Sequence, residues 1–332
     1  MLLQTSTYAN TIVATDGSPT RRTVEVRIDP LTKHLARLVG QASLLPVASA
    51  DLVELAAAAQ AECPFCPGRI EQSTPLLAPQ LCAAGRIRVG ETVLFPNLMP
   101  YAEHSVVAIY GANRHLLGVQ DLTDRLLSDN LGAQVEFFRA VRVTDPDASW
   151  MSINANHLAP AGSSVFHPHT QGLCHAEPTP AQRLMASIPT EVYVDLIDTE
   201  RRLGARWLAD TGRVRWTTAF APLGPGDVRG YLPGLRCPTE LDADTCIELA
   251  VGLVAVLRGY AALGITSFNL ALLGVPPQAA GGTLTIQLVA RSGLAPYYRS
   301  DVTYLERLHG VTVTGMTPEI VAEELRPQFG QA

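Results

Sequence analysis

The segment His167-Pro168-His169-Thr170-Gln171 carries the most distinctive chemistry in the chain, because imidazole, imidazole and amide side chains recur at every second position. In an extended strand, residues two apart face the same side, so His167, His169 and Gln171 are expected to line one face. A neutral imidazole can attack phosphorus, and its ordinary pKa of about 6.5 leaves it mostly neutral in the cell. The segment therefore indicates transfer of a phosphorus-containing group, although a lone His-x-His pair is more often a surface strand or an adventitious metal pair.

A second segment upstream supports this interpretation. It begins at Asn156 and ends in Gly162-Ser163-Ser164, and such small polar residues suit a loop that wraps a phosphate with backbone N–H groups and hydroxyls. Fixed donors near the nonbridging oxygens stabilise the charge that develops during transfer. Gln171 can donate to such an oxygen, but it cannot act as a general acid or base.

Cys63-Pro64-Phe65-Cys66 is a Cys-x-x-Cys knuckle, whose two thiolates can share one metal ion. The sequence contains no second knuckle, so the remaining ligands are expected to be histidines. His104, His115, His157 and His167 are all candidates at this point. A thioredoxin-type redox pair is the alternative, and it is disfavoured because no strand clearly delivers the motif to a helix N-terminus.

The composition limits the classes of function. The chain has 332 residues, of which 47% are hydrophobic and 17% charged, and this suits two modest domains with buried cores. A net charge of −6 without a Lys/Arg block argues against a nucleic-acid surface. No signal peptide or membrane span is predicted, and the apolar stretch 249–263, which Arg258 interrupts, is interpreted as a buried helix. We therefore expect a cytoplasmic protein without membrane contact, whose six cysteines are free thiols or metal ligands.

Hydrophobic periodicity predicts the elements that position these motifs. Strands are predicted at 23–28, 87–95, 105–110, 152–154, 213–221, 266–273 and 283–291, and helices at 51–61, 123–143, 181–210, 239–263 and 317–325. A Gly/Pro-rich stretch at 222–234 is expected to interrupt the second half. Each half contains strands and a long helix, which predicts two related α+β units that meet near residues 180–195.

Four separate motifs resemble those of one family. They are Arg27-Ile28-Asp29-Pro30-Leu31-Thr32, the knuckle with its flanks at 62–68, Phe95-Pro96-Asn97, and the signature that runs from Asn156 to Gln171. The chain resembles the galactose-1-phosphate uridylyltransferase family, a branch of the histidine-triad superfamily, as a divergent member. The resemblance implies an α+β fold of two tandem histidine-triad-like units with antiparallel sheets and packed helices. Residues 1–190 would form the N-terminal unit with the zinc site and the nucleophile, and residues 191–332 a degenerate C-terminal unit.

The resemblance also implies roles for individual residues. The ligands of one structural Zn²⁺ would be Cys63, Cys66, His115 and His167. By exclusion, His169 would be the nucleophile. The groups that hold the substrate would be Asn156, Ser163, Ser164 and Gln171 at the phosphate, with Gln171 also catalytic, and Asn97 at the ribose.

Three positions depart from the family pattern. The stretch Leu288-Val289-Ala290-Arg291 lacks the His-x-His pair of the family's second metal site, so no second metal is expected. Leu158 stands where the signature has its first glycine, and Thr170 replaces the glycine between His169 and Gln171. These departures leave the base, the sugar and the acceptor unassigned.

The activity that the resemblance implies is nucleotidyl transfer in a homodimer. A nucleoside diphosphate sugar would give its nucleoside monophosphate to His169, and a sugar phosphate would accept it. The enzymatic alternatives are a nucleotide-sugar phosphorylase and a hydrolase, and Gln171 argues against the hydrolase because related hydrolases place a histidine there. A catalytically inactive, zinc-stabilised binding protein is the third interpretation, and the intact His169 and Gln171 argue against it.

Overall fold

The computed structural model describes residues 1–40, 51–293 and 300–330. Its strands are β1 (Gln4–Val13), β2 (Pro19–Ile28), β3 (Leu35–Val39), β4 (Ile87–Val89), β5 (Thr92–Pro96), β6 (His104–Ile109), β7 (Trp150–His157), β8 (His169–His175), β9 (Trp207–Thr211), β10 (Val214–Thr218), β11 (Val228–Leu232), β12 (Phe268–Leu273), β13 (Leu284–Ala290) and β14 (Val311–Thr314). Its α-helices are α1 (Leu52–Gln60), α2 (Ile70–Ser73), α3 (Asp124–Thr144), α4 (Pro180–Ser187), α5 (Thr190–Leu203), α6 (Ala243–Ala262) and α7 (Pro318–Phe329).

Ten of these strands form one continuous antiparallel sheet in the order β4-β5-β6-β8-β7-β12-β13-β11-β10-β9. From each edge to the centre the order is β4-β5-β6-β8-β7 on one side and β9-β10-β11-β13-β12 on the other. The two sides therefore repeat one topology around the central β7–β12 pair, and we call them the N-terminal and the C-terminal half-sheet. The predicted α+β class with two tandem units is confirmed, and the boundary at residue 190 stays a prediction.

Helices α3 and α6 cover one face of the sheet and pack against each other. Helix α3 begins after Thr123, whose hydroxyl caps it by accepting the N–H of Leu126 at 3.3 Å. Its buried residues Leu127, Leu131 and Phe138 recur at helical spacing. Each such side chain stabilises the fold by about 1.5–3 kcal/mol through burial, so the apolar stripe of α3 fixes the helix on the sheet.

Helix α6 is long and apolar enough, by length and composition alone, to cross a membrane. In the structure 67% of its most apolar 18-residue window is buried, and the helix packs between α3 and α7. Asp242 caps its first turn by accepting the N–H of Thr245 at 2.8 Å. Helix α6 is therefore a core helix, as predicted for the stretch 249–263.

The opposite face of the C-terminal half-sheet is covered by α5 and by the turn that follows β2. Tyr193 and Leu196 of α5 and Leu31 of the turn pack on Tyr231 of β11. A second sheet of order β1-β2-β3-β14 continues from this turn, and its last pair is parallel. Chain segments from both ends of the sequence thus close the C-terminal half-sheet.

Two predictions of secondary structure are wrong. The predicted helix 181–210 is two helices and a strand, because Pro189 disfavours helical backbone at Ile188, which is extended with ψ 121°. The stretch 222–234, predicted to interrupt the fold, contains β11. Gly230 misled the prediction, because a Cβ at this position would lie 2.9 Å from the ring of Trp216, so glycine is needed there for close packing within a strand.

Candidate active site and metal centre

Strand β8 presents different chemistry on its two faces. His169 and Gln171 lie opposite Ile109 and Val107 of β6, on the face away from α3. Thr170 points to the other face, where Gln134 of α3 donates to its hydroxyl at 2.9 Å. The expected common face therefore exists for His169 and Gln171, whereas His167 precedes the strand.

The ring of His169 is held in one tautomer. Its Nδ1 lies 2.9 Å from the carbonyl oxygen of His167, and because a carbonyl can only accept, Nδ1 carries the hydrogen. The lone pair is then on Nε2. Phe65 packs edge-on against the ring, with 5.8 Å between centroids. Burial lowers the pKa of His169, partly offset by the bond to His167, so the imidazole is neutral at pH 7 and Nε2 is available as a nucleophile.

Cys63, Cys66, His115 and His167 form one buried cluster whose ligand atoms all lie within 4.8 Å of one another. The distance from Cys66 Sγ to His115 Nδ1 is 3.3 Å, and that from Cys63 Sγ to His167 Nδ1 is 3.6 Å. A tetrahedral ion with Zn–S of about 2.3 Å and Zn–N of about 2.0 Å would place sulfur and nitrogen about 3.6 Å apart. The cluster consists of the four predicted ligands and could bind one metal ion.

Contacts behind the cluster select the ligand atoms. Nε2 of His115 donates to the carbonyl of Ala56 and Nε2 of His167 to that of Gly111, each at 2.9 Å, so both Nδ1 atoms are free of hydrogen. Burial and the neighbouring thiol raise the pKa of Cys66 to about 11. The thiol of Cys66 would therefore not ionise unaided at neutral pH, whereas a divalent cation favours the thiolate. Two thiols and two oriented imidazoles, all buried, fit a closed four-coordinate structural ion.

The other two histidines that the spacing left open lie outside this cluster. His104 faces Asp145, with 2.7 Å between its Nε2 and a carboxylate oxygen. His157 stacks on Phe268, with ring centroids 4.9 Å apart and an interplanar angle of 13°. The structure therefore brings together His115 and His167 and neither of the alternatives.

Strand β7 places two asparagines beside β8. Asn154 pairs with Gln171 in the antiparallel register. Asn156 lies two residues beyond Asn154 on the same strand, so the two side chains share a face of the sheet. Because paired residues of neighbouring strands share a face, the amide of Asn156 lies on the same face as the imidazole.

The loop after β7 makes a tight turn between left-handed residues. Leu158 has φ 68° and Gly162 has φ 96°. Ser163 donates its hydroxyl hydrogen to the carbonyl of Val165 at 2.7 Å, so this group shapes the loop, and Ser164 is exposed. The predicted phosphate contacts of Ser163 and Ser164 stay predictions.

Asn97 lies just after β5, two strands away from β8. Its N–H donates to the carbonyl of Ser105 at 2.8 Å, and its side-chain oxygen accepts the N–H of Met99 at 3.1 Å. The side chain thus forms a turn whose next two residues, Leu98 and Met99, are exposed. The predicted ribose contact of Asn97 stays a prediction.

Two residues of the C-terminal unit reach this site, and the sequence alone assigns them no role. Asn269 of β12 lies directly opposite Asn156 and donates to its side-chain oxygen at 2.7 Å. Arg291, just after β13, donates to the side-chain oxygen of Asn269 at 2.6 Å. The sequence predicts a strand at 266–273 that contains Asn269, but the local hydrophobic pattern does not show with which strand it pairs.

Comparison with known proteins agrees with this architecture. No protein-family model matches the chain. An uncharacterized protein of Archaeoglobus fulgidus is 29% identical over 319 residues, which cover 93% of this chain and 94% of the relative. An ADP-glucose phosphorylase of Arabidopsis thaliana, solved with bound ADP-glucose, superposes with a TM-score of 0.69 at 18% identity, over 91% of this chain and 98% of its own. A uridylyltransferase structure gives a TM-score of 0.65 at 18% identity, over 92% and 98%.

The chain has the uridylyltransferase fold. At these identities the superpositions establish the fold alone, and they confirm at that level the resemblance that the motifs carry. The structure also shows the surroundings of two residues that depart from the family signature. Thr170 does not enter the face of His169, since its hydroxyl donates to Asn130 of α3 at 2.6 Å. Leu158 occupies a position whose backbone, at φ 68° and ψ 167°, is favourable only to glycine.

Proposed function

We propose that the protein is a nucleotidyltransferase that carries a nucleoside monophosphate covalently on His169. A nucleoside diphosphate sugar would be the donor and a sugar phosphate the acceptor. The observation that carries the proposal is the imidazole of His169, whose Nδ1 is held by a carbonyl so that the lone pair lies on Nε2, with the amide of Asn156 on the same face of the sheet. The shared fold with a uridylyltransferase and a nucleotide-sugar phosphorylase supports this class of reaction.

In the first step, Nε2 of His169 attacks the α-phosphorus of the donor. An N–P bond forms, the bond to the bridging oxygen breaks, and the sugar 1-phosphate leaves with the electron pair. The ring becomes cationic, and the carbonyl of His167, which already accepts its Nδ1–H at 2.9 Å, stabilises that charge. Donors from Asn156 and the loop at 162–164 would stabilise the negative charge on the nonbridging oxygens.

In the second step, a phosphate oxygen of the acceptor attacks the same phosphorus and the N–P bond breaks, which returns the lone pair to Nε2. The attacking oxygen is already anionic, so no proton has to be removed from it. An amide at Gln171 is therefore sufficient, whereas attack by water would need a base.

We infer that the ion in the cysteine–histidine cluster is Zn²⁺ and that its role is structural. His167 would bind it through Nδ1, and the carbonyl of the same residue fixes the tautomer of His169. Zinc bound in a closed tetrahedral site lends rigidity and has no free coordination position. The metal would thus hold the hydrogen-bond acceptor of the nucleophile in place.

Phosphorolysis is the second candidate, with inorganic phosphate as the acceptor. It is favoured by the similarity in fold to an ADP-glucose phosphorylase. The first step would be identical, and the product of the second would be a nucleoside diphosphate. The cytoplasmic location and the homodimer stay predictions.

The proposal is tested by incubating the protein with UDP-glucose, ADP-glucose or GDP-mannose labelled at the α-phosphorus, followed by quenching. We expect an acid-labile, base-stable label on the wild type and on His104→Gln, and none on His169→Gly, which should retain its metal. A chase with glucose 1-phosphate or inorganic phosphate then distinguishes transfer from phosphorolysis. Full turnover by His169→Gly would refute the covalent mechanism.

A further inference from the structure

A chain of polar side chains runs from the C-terminal unit to Asn156. Asp301 accepts two hydrogen bonds from Arg291, at 2.7 Å from Nε and 2.6 Å from Nη2. Arg291 Nη1 donates to Asn269 Oδ1 at 2.6 Å, and Asn269 Nδ2 donates to Asn156 Oδ1 at 2.7 Å. These hydrogen bonds therefore connect the carboxylate of Asp301 to the amide of Asn156, which shares a face of the sheet with His169.

Arg291 determines which group donates and which accepts at each hydrogen bond of this network. A guanidinium has five donors and no acceptor, so Arg291 requires an oxygen from Asn269. The amide nitrogen of Asn269 must then face Asn156, and Asn156 must offer its oxygen in return. The remaining amide group of Asn156, its Nδ2 with two hydrogens, is thereby turned away from Asn269.

A second contact locks the same orientation. Nδ2 of Asn269 also donates to the carbonyl of Ala161 at 2.8 Å, in the turn that leads to Gly162. Reversal of the amide would set nitrogen against the guanidinium and oxygen against two other oxygens. The bonds of Asn269 to Arg291 and Ala161 are partly buried and its bond to Asn156 is exposed. Reversal would therefore lose three direct hydrogen bonds, which water replaces only in part, at about 0.5–1.5 kcal/mol each. Asn269 therefore fixes both Asn156 and the loop at 159–164.

We propose that Asn269 and Arg291 are positioning residues that present Nδ2 of Asn156 as an outward hydrogen-bond donor to a phosphate oxygen. This rests on the proposed function for the identity of the phosphate as the α-phosphate of a nucleotide. A donor of fixed direction stabilises an anion without reorganisation, whereas a free amide can rotate its oxygen toward the anion and repel it. The C-terminal unit, which carries no nucleophile of its own in this scheme, thus completes the anion site of the N-terminal unit.

The proposal implies that Asn269 and Asn156 are energetically coupled in phosphate binding, and a double-mutant cycle measures this coupling. Asn269→Leu keeps the size and neutrality of the side chain but removes both the carbonyl oxygen and the NH2 of its amide. We expect it to weaken binding of AMP and UMP about tenfold and to leave binding of adenosine and uridine unchanged. In an Asn156→Ala background, the same substitution should have no further effect, because the donor that it orients is already absent.

Two variants of Arg291 test whether a pure hydrogen-bond donor at this position orients the amides of Asn269 and Asn156. Arg291→Lys, which is also a pure donor, should retain most of the affinity for the monophosphates, whereas Arg291→Met should lose part of it. Arg201→Met is the control. Arg201 also donates two hydrogen bonds to a carboxylate, at 2.9 and 2.7 Å from the oxygens of Asp210, but it does not contact Asn269. Metal content and melting temperature report whether each variant is folded.

Isothermal calorimetry with AMP, UMP and the two nucleosides decides the proposal, and the labelling assay is run in parallel. Non-additive loss that is confined to the monophosphates supports it, whether or not His169 becomes labelled. Additive losses, equal losses for nucleosides, or a wild type that binds the monophosphates no better than the nucleosides would overturn it. A labelled wild type with an additive cycle would leave the proposed function intact and refute only the positioning role.

Discussion

The two half-sheets have the same strand order but are covered by different kinds of contact. On the N-terminal half-sheet, the face that carries His169 is covered by a compact cysteine–histidine cluster. On the C-terminal half-sheet, the equivalent face is covered by α5 and by Arg229, buried between Asp29 and Asp227. The N-terminal half-sheet thus carries candidate metal ligands beside His169, whereas the C-terminal half-sheet carries a buried ion pair whose Arg229 lines a cavity with Tyr231 and Gln287. The two half-sheets share a strand order and differ in the side chains that their faces carry.

Removing a metal ligand should have the largest effect. Cys63→Ser is expected to abolish stoichiometric metal binding and to lower the free energy of unfolding by more than about 4 kcal/mol, because the metal cross-links segments far apart in sequence. Metal analysis and thermal unfolding measure both. Cys237→Ser, at a buried cysteine that contacts Met151 and lies outside the cluster, is the control and should lose only about 1–3 kcal/mol with the metal retained. Full metal occupancy in Cys63→Ser would contradict the comparison.

Removing the buried arginine tests the other half-sheet. Arg229→Met leaves two buried carboxylates without their cation, and Arg229 Nη1 lies 2.7 Å from Asp29. We expect a loss of about 3–5 kcal/mol in chemical denaturation, with metal binding unchanged. Arg201→Met, which breaks an exposed pair, should cost less than about 1 kcal/mol. Equal losses in the two variants would show that the buried pair does not stabilise the C-terminal half-sheet.

A smaller effect should appear at Leu158, where the backbone is strained. Glycine is usually less stable than alanine in a folded segment, by about 0.5–1 kcal/mol. At φ 68° and ψ 167° the order should reverse, and Leu158→Gly should be more stable than Leu158→Ala by about 1–2 kcal/mol. Both variants lose the buried leucine side chain, so their difference in unfolding free energy isolates the backbone. The ordinary order would show that this position is unstrained.

The last and smallest expected difference is in the pH dependence of stability, and it concerns Asp29. Burial opposes ionisation of this carboxylate, but Arg229 and the N–H groups of Leu31 and Thr32 outweigh it and lower its pKa below 3.8. A lowered pKa contributes stability above the unfolded value, and this contribution is lost as the pH falls through the folded value. Between pH 4 and pH 2, Asp29→Asn should therefore lose unfolding free energy less steeply than the wild type. Parallel curves would exclude Asp29 as a source of acid sensitivity.

Much of the fold and the cysteine half of the metal cluster could be predicted because the information is local, whereas spacing alone left four histidines open as the other ligands. The knuckle, the alternation around His169 and the long amphipathic stretches of α3 and α6 each lie within one segment. Strand β11 could not be predicted, because Gly230 is explained only by the side chains of Ile286 and Trp216 that pack against it. The orientation of Thr170 toward α3 could have been predicted, since alternation along a strand places its side chain on the face opposite to those of His169 and Gln171.

The contribution of Asn269 to the site could not be predicted, because it depends on which strand pairs with β7. Asn269 is 113 residues from Asn156, and nothing in either segment specifies the register between them. Long-range pairing of this kind is set by the packing of the whole sheet. The sequence therefore predicted a nucleophile and the candidate metal ligands but not the residues proposed to orient their neighbours.

The central β7–β12 pair has a consequence for the history of the chain. Two units with one strand order are the expected product of a gene duplication. If the second unit made no contact with His169 and its neighbours, it could be lost during evolution once it had no nucleophile of its own. Here the second copy supplies the amide across from Asn156, so selection on the first copy also acts on the second. Substitutions at Asn156 and Asn269 should accordingly be inherited together, in step with each other and not with the rest of their own units.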